Sequence, residues 1–448
     1  MKIFETKFRA PGNRTPLNKM KKKYKSIIYL TLTLIILALF FIFFSKSTLQ
    51  GKFRNDFKSF IWPLIPEKTQ TIIKILYDDK YFKRNLNDYN VRFLPRTQSI
   101  NLDLDVIKIK YLQEDKGIYK NQKKKTFFIE LINNNIWIID LKGNIYNLGN
   151  LENIYDKQKN RIQGNKVETN NLDLFKVLDT YVDKGNIFIS FAKKVGDCYF
   201  LNVSVSEINN KLNFKNFFSS DECTKNFIQG GRLQKYTHNK KNGILITVGD
   251  GSSRKNDGKY AQDENSIYGK ILFKEYQNNN EKNYIIFSKG HRNPQGLLNY
   301  NNTILSTEHG PRGGDEINKI IYNSNYGWPI ASYGKAYLTD KVKYKKSHKD
   351  FSFIEPIFSF IPSIGINEII HIPNNFNKEW QNNFLVASLN DKSIYRLKFS
   401  KNFQKILYNE KIFIGQRIRD LKYDPISNMI ILALETDGSI GIIKNLNY

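Results

Sequence analysis

Six times between residues 133 and 434 a turn signal runs straight into a short apolar stretch. The stretches are NNNIWIID at Ile136, GNIFISF at Ile187, NGILITV at Ile244, NNTILST at Thr303, NNFLVAS at Phe384 and SNMIILAL at Met429. Asn-Asn, Gly-Asn and Asn-Gly supply the tight turns that join antiparallel strands, and runs of Ile, Val, Leu and Phe of this length suit buried strands. Several runs lead into a second turn and strand, as in DLKGNIYNL, SLNDKSIYRLKF and ETDGSIGII. Helical periodicity is scarce. The intervals between the runs are 51, 57, 59, 81 and 45 residues. A repeat of that size built from short strands predicts an all-β fold, a six-bladed β-propeller, over residues 101–448. A β-sandwich would space its strands more evenly and needs less chain. The 81-residue interval marks an insertion at one blade. Function in such a ring gathers in loops at one end of the channel, so the loops after the six runs are the place to search.

The ends of the chain differ in kind. Residues 1–26 hold nine Lys/Arg against Glu5 alone and read as a basic cytoplasmic tail. Residues 27–44, IIYLTLTLIILALFFIFF, carry no charge; at about 1.5 Å per residue they make about 27 Å of helix, close to a bilayer core. That is longer than the apolar region of about 7–15 residues in a cleaved signal, and no small-residue cleavage site follows. The reading is a single-pass transmembrane signal anchor with its Lys-rich flank in the cytoplasm. The remainder then lies outside the inner membrane, in the periplasm of a Gram-negative cell. Residues 45–100 read as a stalk or linker. The formal charge of +28 is spread beyond the tail without a basic stripe, which argues against nucleic acid as a partner. Cys198 and Cys223 are the two cysteines; in an exported domain they either pair as one disulfide or remain thiols.

Four loops around the runs are unusually polar: VGDGSSRKNDG with Asp250, GHRNPQGL with Arg292 and Asn293, EHGPRGGDEIN from Glu308, and GQRIRDLKYDP with Arg417 and Arg419. Gly310-Pro311 fixes a bend that offers two carbonyls, and Glu308 and Asp315 bring charge, a pattern that suits a hard cation such as Ca²⁺. One His and no Cys is a poor set for zinc. Arg417 and Arg419, two apart on a strand, share a face and suit a ligand with carboxylates. Each motif alone is also what a solvated loop looks like.

Together, GHRNPQGL, EHGPRGGDEINKI and NYGWP, with GGRL and VGD upstream and QRIRD downstream, resemble the soluble-type quinoprotein sugar dehydrogenases, the glucose/sorbosone dehydrogenase family. The resemblance covers about residues 120–445. It implies a six-bladed propeller holding pyrroloquinoline quinone (PQQ) with Ca²⁺, and oxidation of an aldose at C1. By motif, Gly310 and Pro311 would serve the calcium. Arg292 would polarise the quinone oxygen and Asn293 would hold the cofactor. Arg417 and Arg419 would bind its carboxylates, and Asp250 would orient a catalytic histidine. Two positions depart from the pattern. Ile228, four residues before Arg232, stands where the family has its histidine, and Asn390 in ASLND stands where it has a cofactor-binding lysine. His309, beside the proposed calcium, is then a candidate base and cofactor contact, and Asp250 a second candidate base. The expectation is a membrane-anchored sugar or alcohol dehydrogenase; the alternative is a non-catalytic binding propeller. The electron acceptor is not readable from the sequence.

Overall fold

All six runs are strands, and each is the second strand of a different antiparallel sheet. The computed structural model describes residues 97, 100–114, 124–151, 154, 161–170, 172–226, 228–251, 258–278, 280–336 and 344–446. The chain divides at Asn87 into two compact units, and every described residue lies in the second. The basic tail, the apolar span and nearly all of the stalk therefore fall outside the described residues. Among the described residues, no helix is long and apolar enough to cross a membrane.

In chain order, the innermost strands of blades one to six are Phe127–Ile132, Lys176–Asp183, Gly230–His238, Pro294–Tyr300, Ile366–Ile372 and Ile418–Asp424. Each lies against the innermost strands of two neighbours, so the six close into a ring. Blade six takes its fourth strand from the other end of the propeller: Leu102–Ile109 pairs antiparallel with Ser439–Asn445. The long fourth interval is the insertion of residues 321–357 between the last two strands of blade four; part of it, Ser324–Asn325, adds to the edge of blade three. Cys198 and Cys223 are bridged, with Cα atoms 5.4 Å apart.

The apolar runs are nearly continuous because both faces of each blade are buried against other blades. In the second strand of blade six, Ile430, Leu432 and Leu434 pack toward blade five, while Ile431 and Ala433 pack toward blade one. The same alternation sends Ile136 and Ile138 one way and Trp137 and Ile139 the other. Six such clusters fill the six gaps between blades.

The turns before the runs have a backbone reason too. Asn133-Asn134 and Asn301-Asn302 are two-residue hairpin loops with φ of +49°, +63°, +47° and +63°. Positive φ at both central residues gives the turn whose twist matches that of the strands, and Asn tolerates it better than most side chains.

Polar groups fill the channel. Arg232 of blade three is 3% exposed, and its guanidinium meets Asp179 of blade two at 2.8 Å and Glu368 of blade five at 2.5 Å. It also donates to the Gln295 carbonyl of blade four at 2.5 Å and to the Arg419 carbonyl of blade six at 3.3 Å. Lys422 of blade six reaches Glu130 of blade one at 3.3 Å.

Asn302→Val is expected to lower unfolding stability by about 1–2 kcal/mol, the cost of a left-handed residue, whereas Asn302→Gly is expected to be near neutral. Denaturant unfolding of the two variants side by side checks this; equal effects would refute the turn assignment.

Candidate functional site

Second strands end where innermost strands begin, so both sets of loops meet at one end of the ring. That end holds a cleft of about 760 Å³. Thr126, Lys176, Gly230, Gln295, Arg417 and Arg419 come from the starts of innermost strands, and Leu141, His309 and Leu389 come from just past the ends of second strands. The size suits a small organic ligand.

The arginine pair shares one face, as i and i+2 on a strand must. Arg417 Nε donates to Glu435 Oε1 at 2.6 Å and Arg419 Nε donates to Oε2 at 2.8 Å. Arg417 also donates to the Leu389 carbonyl at 3.2 Å. Glu435 is fully buried just after the sixth run. Burial alone would raise its pKa, but the two guanidiniums pull it down to about 2. One carboxylate thus fixes two guanidinium groups at the cleft wall.

The Gly-Pro loop is built more tightly than a cation site requires. Asp315 is 1% exposed; its Oδ1 accepts from the Gly310 amide at 3.1 Å and its Oδ2 from the Ile364 and Ile366 amides at 3.0 and 2.9 Å. Glu308 accepts from Asn318 at 2.6 Å and from the Arg292 amide at 3.0 Å, and lies 3.1 Å from His291 Nδ1. Both acids therefore hold the loop's own framework together. Arg292 Nη1 donates to the carbonyls of His309 and Gly310, each at 2.8 Å, and its guanidinium lies 5.4 Å from the Trp328 ring. The Pro311 carbonyl accepts from Ser363 at 3.3 Å. Among the described residues, no group of three or more His, Cys, Asp or Glu is disposed to hold a metal.

His309 follows directly. The chain has five histidines, all among the described residues, and His309 alone lines the cleft. Its Nδ1 faces the Asn293 amide at 3.4 Å, while its buried Nε2 has no hydrogen-bond partner. Burial holds the imidazole pKa below its ordinary value; Arg292 and Arg419 add to that, against the pull of Asp315. Burial thus favours the neutral imidazole, the form that can take a proton, although Nε2 itself is closed to solvent. Asn293 in turn accepts from Gln295 at 2.8 Å, and Gln295 lies 3.5 Å from Arg419, so the loop of blade four and the arginines of blade six form one polar chain.

Ile228, 2% exposed, lines the same cleft. Asp250 is set back from it: its Oδ2 accepts from the Trp328 indole at 2.7 Å, and its amide donates to the Arg292 carbonyl at 2.8 Å. Asn390 is exposed, with its amide donating to the Ile364 carbonyl, and does not line the cleft. Lys124, Lys176 and Glu435 do shape the site and carry no motif, and Gln295 lies within GHRNPQGL without having been singled out. Glu435 was open to the rule that function follows the runs; Lys124 sits in a KKK stretch that reads as a solvated charge run.

Glu435→Gln is expected to cost about 3 kcal/mol near neutral pH. The folded pKa lies below the ordinary 4.5, so this contribution is present above about pH 4.5 and lost as the pH falls toward 2. Urea unfolding across that range should show a shallower acid limb in the variant; an equally steep limb would count against the ion pair.

The glucose/sorbosone dehydrogenase family model matches residues 147–443. The aldose sugar dehydrogenase YliI of Escherichia coli is 30% identical over 225 residues, 47% of this chain and 58% of that protein. The chain spans about half the length of the curated relatives it matches. The crystal structure of the soluble aldose sugar dehydrogenase of Escherichia coli in its apo form matches with a TM-score of 0.62 at 20% identity, covering 77% of this chain and 99% of that one. The PQQ-bound aldose sugar dehydrogenase of Streptomyces coelicolor matches with a TM-score of 0.52 at 15% identity, covering 78% and 99%. With the family match running over more than half of its length, the chain belongs to the glucose/sorbosone dehydrogenase family.

Proposed function

We propose that this chain is a PQQ-dependent dehydrogenase of aldoses or related alcohols, anchored in the inner membrane by residues 27–44 with the propeller on the periplasmic side. The observation that carries the reading is the meeting in one cleft of a guanidinium pair, an unengaged imidazole nitrogen and the Asn293–Gln295 relay. PQQ, when bound, supplies a two-electron quinone acceptor carried on a planar tricarboxylate. The residues fit it: Arg417 and Arg419 suit carboxylates and Asn293 is a further polar contact, whereas Arg292 lines an adjoining cavity and donates to two backbone carbonyls.

His309 would be the residue that takes the proton of the substrate hydroxyl, and bound PQQ would supply the acceptor for the two electrons that an aldose loses in becoming a lactone. His309 stands in the cleft where Asp250 does not, and for that reason it is the preferred base. Calcium fits less well. Glu308 and Asp315 are consumed by the framework, Arg292 holds the Gly310 carbonyl, and burial raises the remaining carboxylate of that cavity, Glu316, well above its ordinary pKa, so no step is assigned to a cation. The buried Ile228 at the cleft wall supports the second reading, a binding propeller without turnover.

The full chain in detergent, supplied with PQQ and Ca²⁺, is expected to reduce an artificial electron acceptor with a panel of aldoses and alcohols. PQQ binding without turnover would favour the second reading, and neither binding nor turnover would defeat the first. His309→Gln is expected to lower kcat by about 10²–10⁴-fold, the usual worth of a general base. A rate unchanged in His309→Gln would remove His309 from that role.

A further inference from the structure

The cleft holds more positive charge than its recognisable motifs account for. Lys176 opens the innermost strand of blade two, and Lys124 precedes that of blade one by three residues. Both line the cleft with Arg417 and Arg419. Glu435 is the carboxylate that holds this group, and the five side chains sum to a formal +3. No hydrogen bond or ion pair engages either ammonium among the described residues.

This arrangement is costly without a ligand. Lys176 is half-buried, and burial and then Arg419 push it down to about 8 against the pull of Glu435; Lys124 is exposed, and partial burial and Arg417 lower it against the same pull. A cation that is partly desolvated and set beside like charges is relieved by an anion. Blade five gives no help, because Asn390 is exposed and turned to other contacts. The additional positive charge stands on the wall made by blades one and two.

We propose that Lys124 and Lys176 bind carboxylate groups of the cleft's ligand, so that four cations from three blades grip a tricarboxylate whose charge of −3 matches the wall. The assignment rests on the reading that the ligand is PQQ. Neither lysine is given a part in hydride or proton transfer.

Equilibrium binding of PQQ to the full chain in detergent, followed by quenching of tryptophan fluorescence, tests this without turnover. Lys124→Gln and Lys176→Gln are each expected to weaken binding by about 10–100-fold, as for loss of a charged hydrogen bond. Lys176→Arg is expected to stay within about threefold of the wild type, because it restores the charge. Added NaCl should weaken the wild type more steeply than either Gln variant. Thermal unfolding measured on the same samples identifies any variant that has lost its fold; the Arg variant then carries the comparison. Wild-type binding that survives both Gln substitutions unchanged would overturn this assignment and leave the quinone reading standing. A wild type that binds no PQQ would overturn both.

Discussion

Arg232 is the one side chain through which the innermost strands of the propeller are tied together. Its guanidinium sits in the channel with acids from blades two and five and carbonyls from blades four and six. Asp420 of blade six, 3.8 Å away, accepts the Ile129 amide of blade one at 2.8 Å. All six blades thus meet at one buried charge. Such a cluster tolerates no partial occupancy: remove one partner and the others are left charged and dry. It also fills the channel beneath the cleft, so that the cleft has a floor. Phe128, which lines the cleft, lies under that guanidinium at 5.6 Å.

The cleft inherits its order from that floor. Arg232 donates to the backbone of Gln295 and of Arg419, the residues that join the blade-four loop to the arginine pair. A polar network anchored at both ends on backbone leaves its side chains few alternative rotamers. Preorganisation of this kind is what a site needs if binding is not to be spent on ordering.

Much of the fold was legible in the sequence because its signals are local. Asn-Asn before Ile136 and before Thr303 encodes a turn of fixed twist, and the apolar runs encode strands buried on both faces. The ring closure by Leu102–Ile109 was not legible, since nothing in LDLDVIKI says that its partner lies at the far end of the chain. The site was partly legible. Arg292, His309, Arg417 and Arg419 stand in motifs; His309, Arg417 and Arg419 meet in the cleft, while Arg292 lines an adjoining small cavity with Gly310 and Pro311. Glu308 and Asp315 were read as cation ligands from their charge, but a sequence cannot show that backbone amides have already claimed an acid. Lys176 carries no local signal at all: its role depends on being the first residue of one strand in a ring, opposite a strand 240 residues away.

The seam where the ring closes has a consequence for the order of assembly. Thr126 of blade one donates to Glu435 of blade six at 2.9 Å, across 309 residues of chain, and the Lys125 amide donates to the Glu435 carbonyl at 2.8 Å. The arginine pair, its fixing carboxylate and Lys124 therefore stand on opposite sides of the last gap to shut. Contacts so distant in sequence form late, because the intervening chain must first be ordered. During synthesis the first five blades can stack as they emerge, but the wall that carries the arginine pair has no shape until the final strands arrive. A growing or truncated chain therefore lacks one side of the cleft, and a formed cleft is a signature of a finished ring.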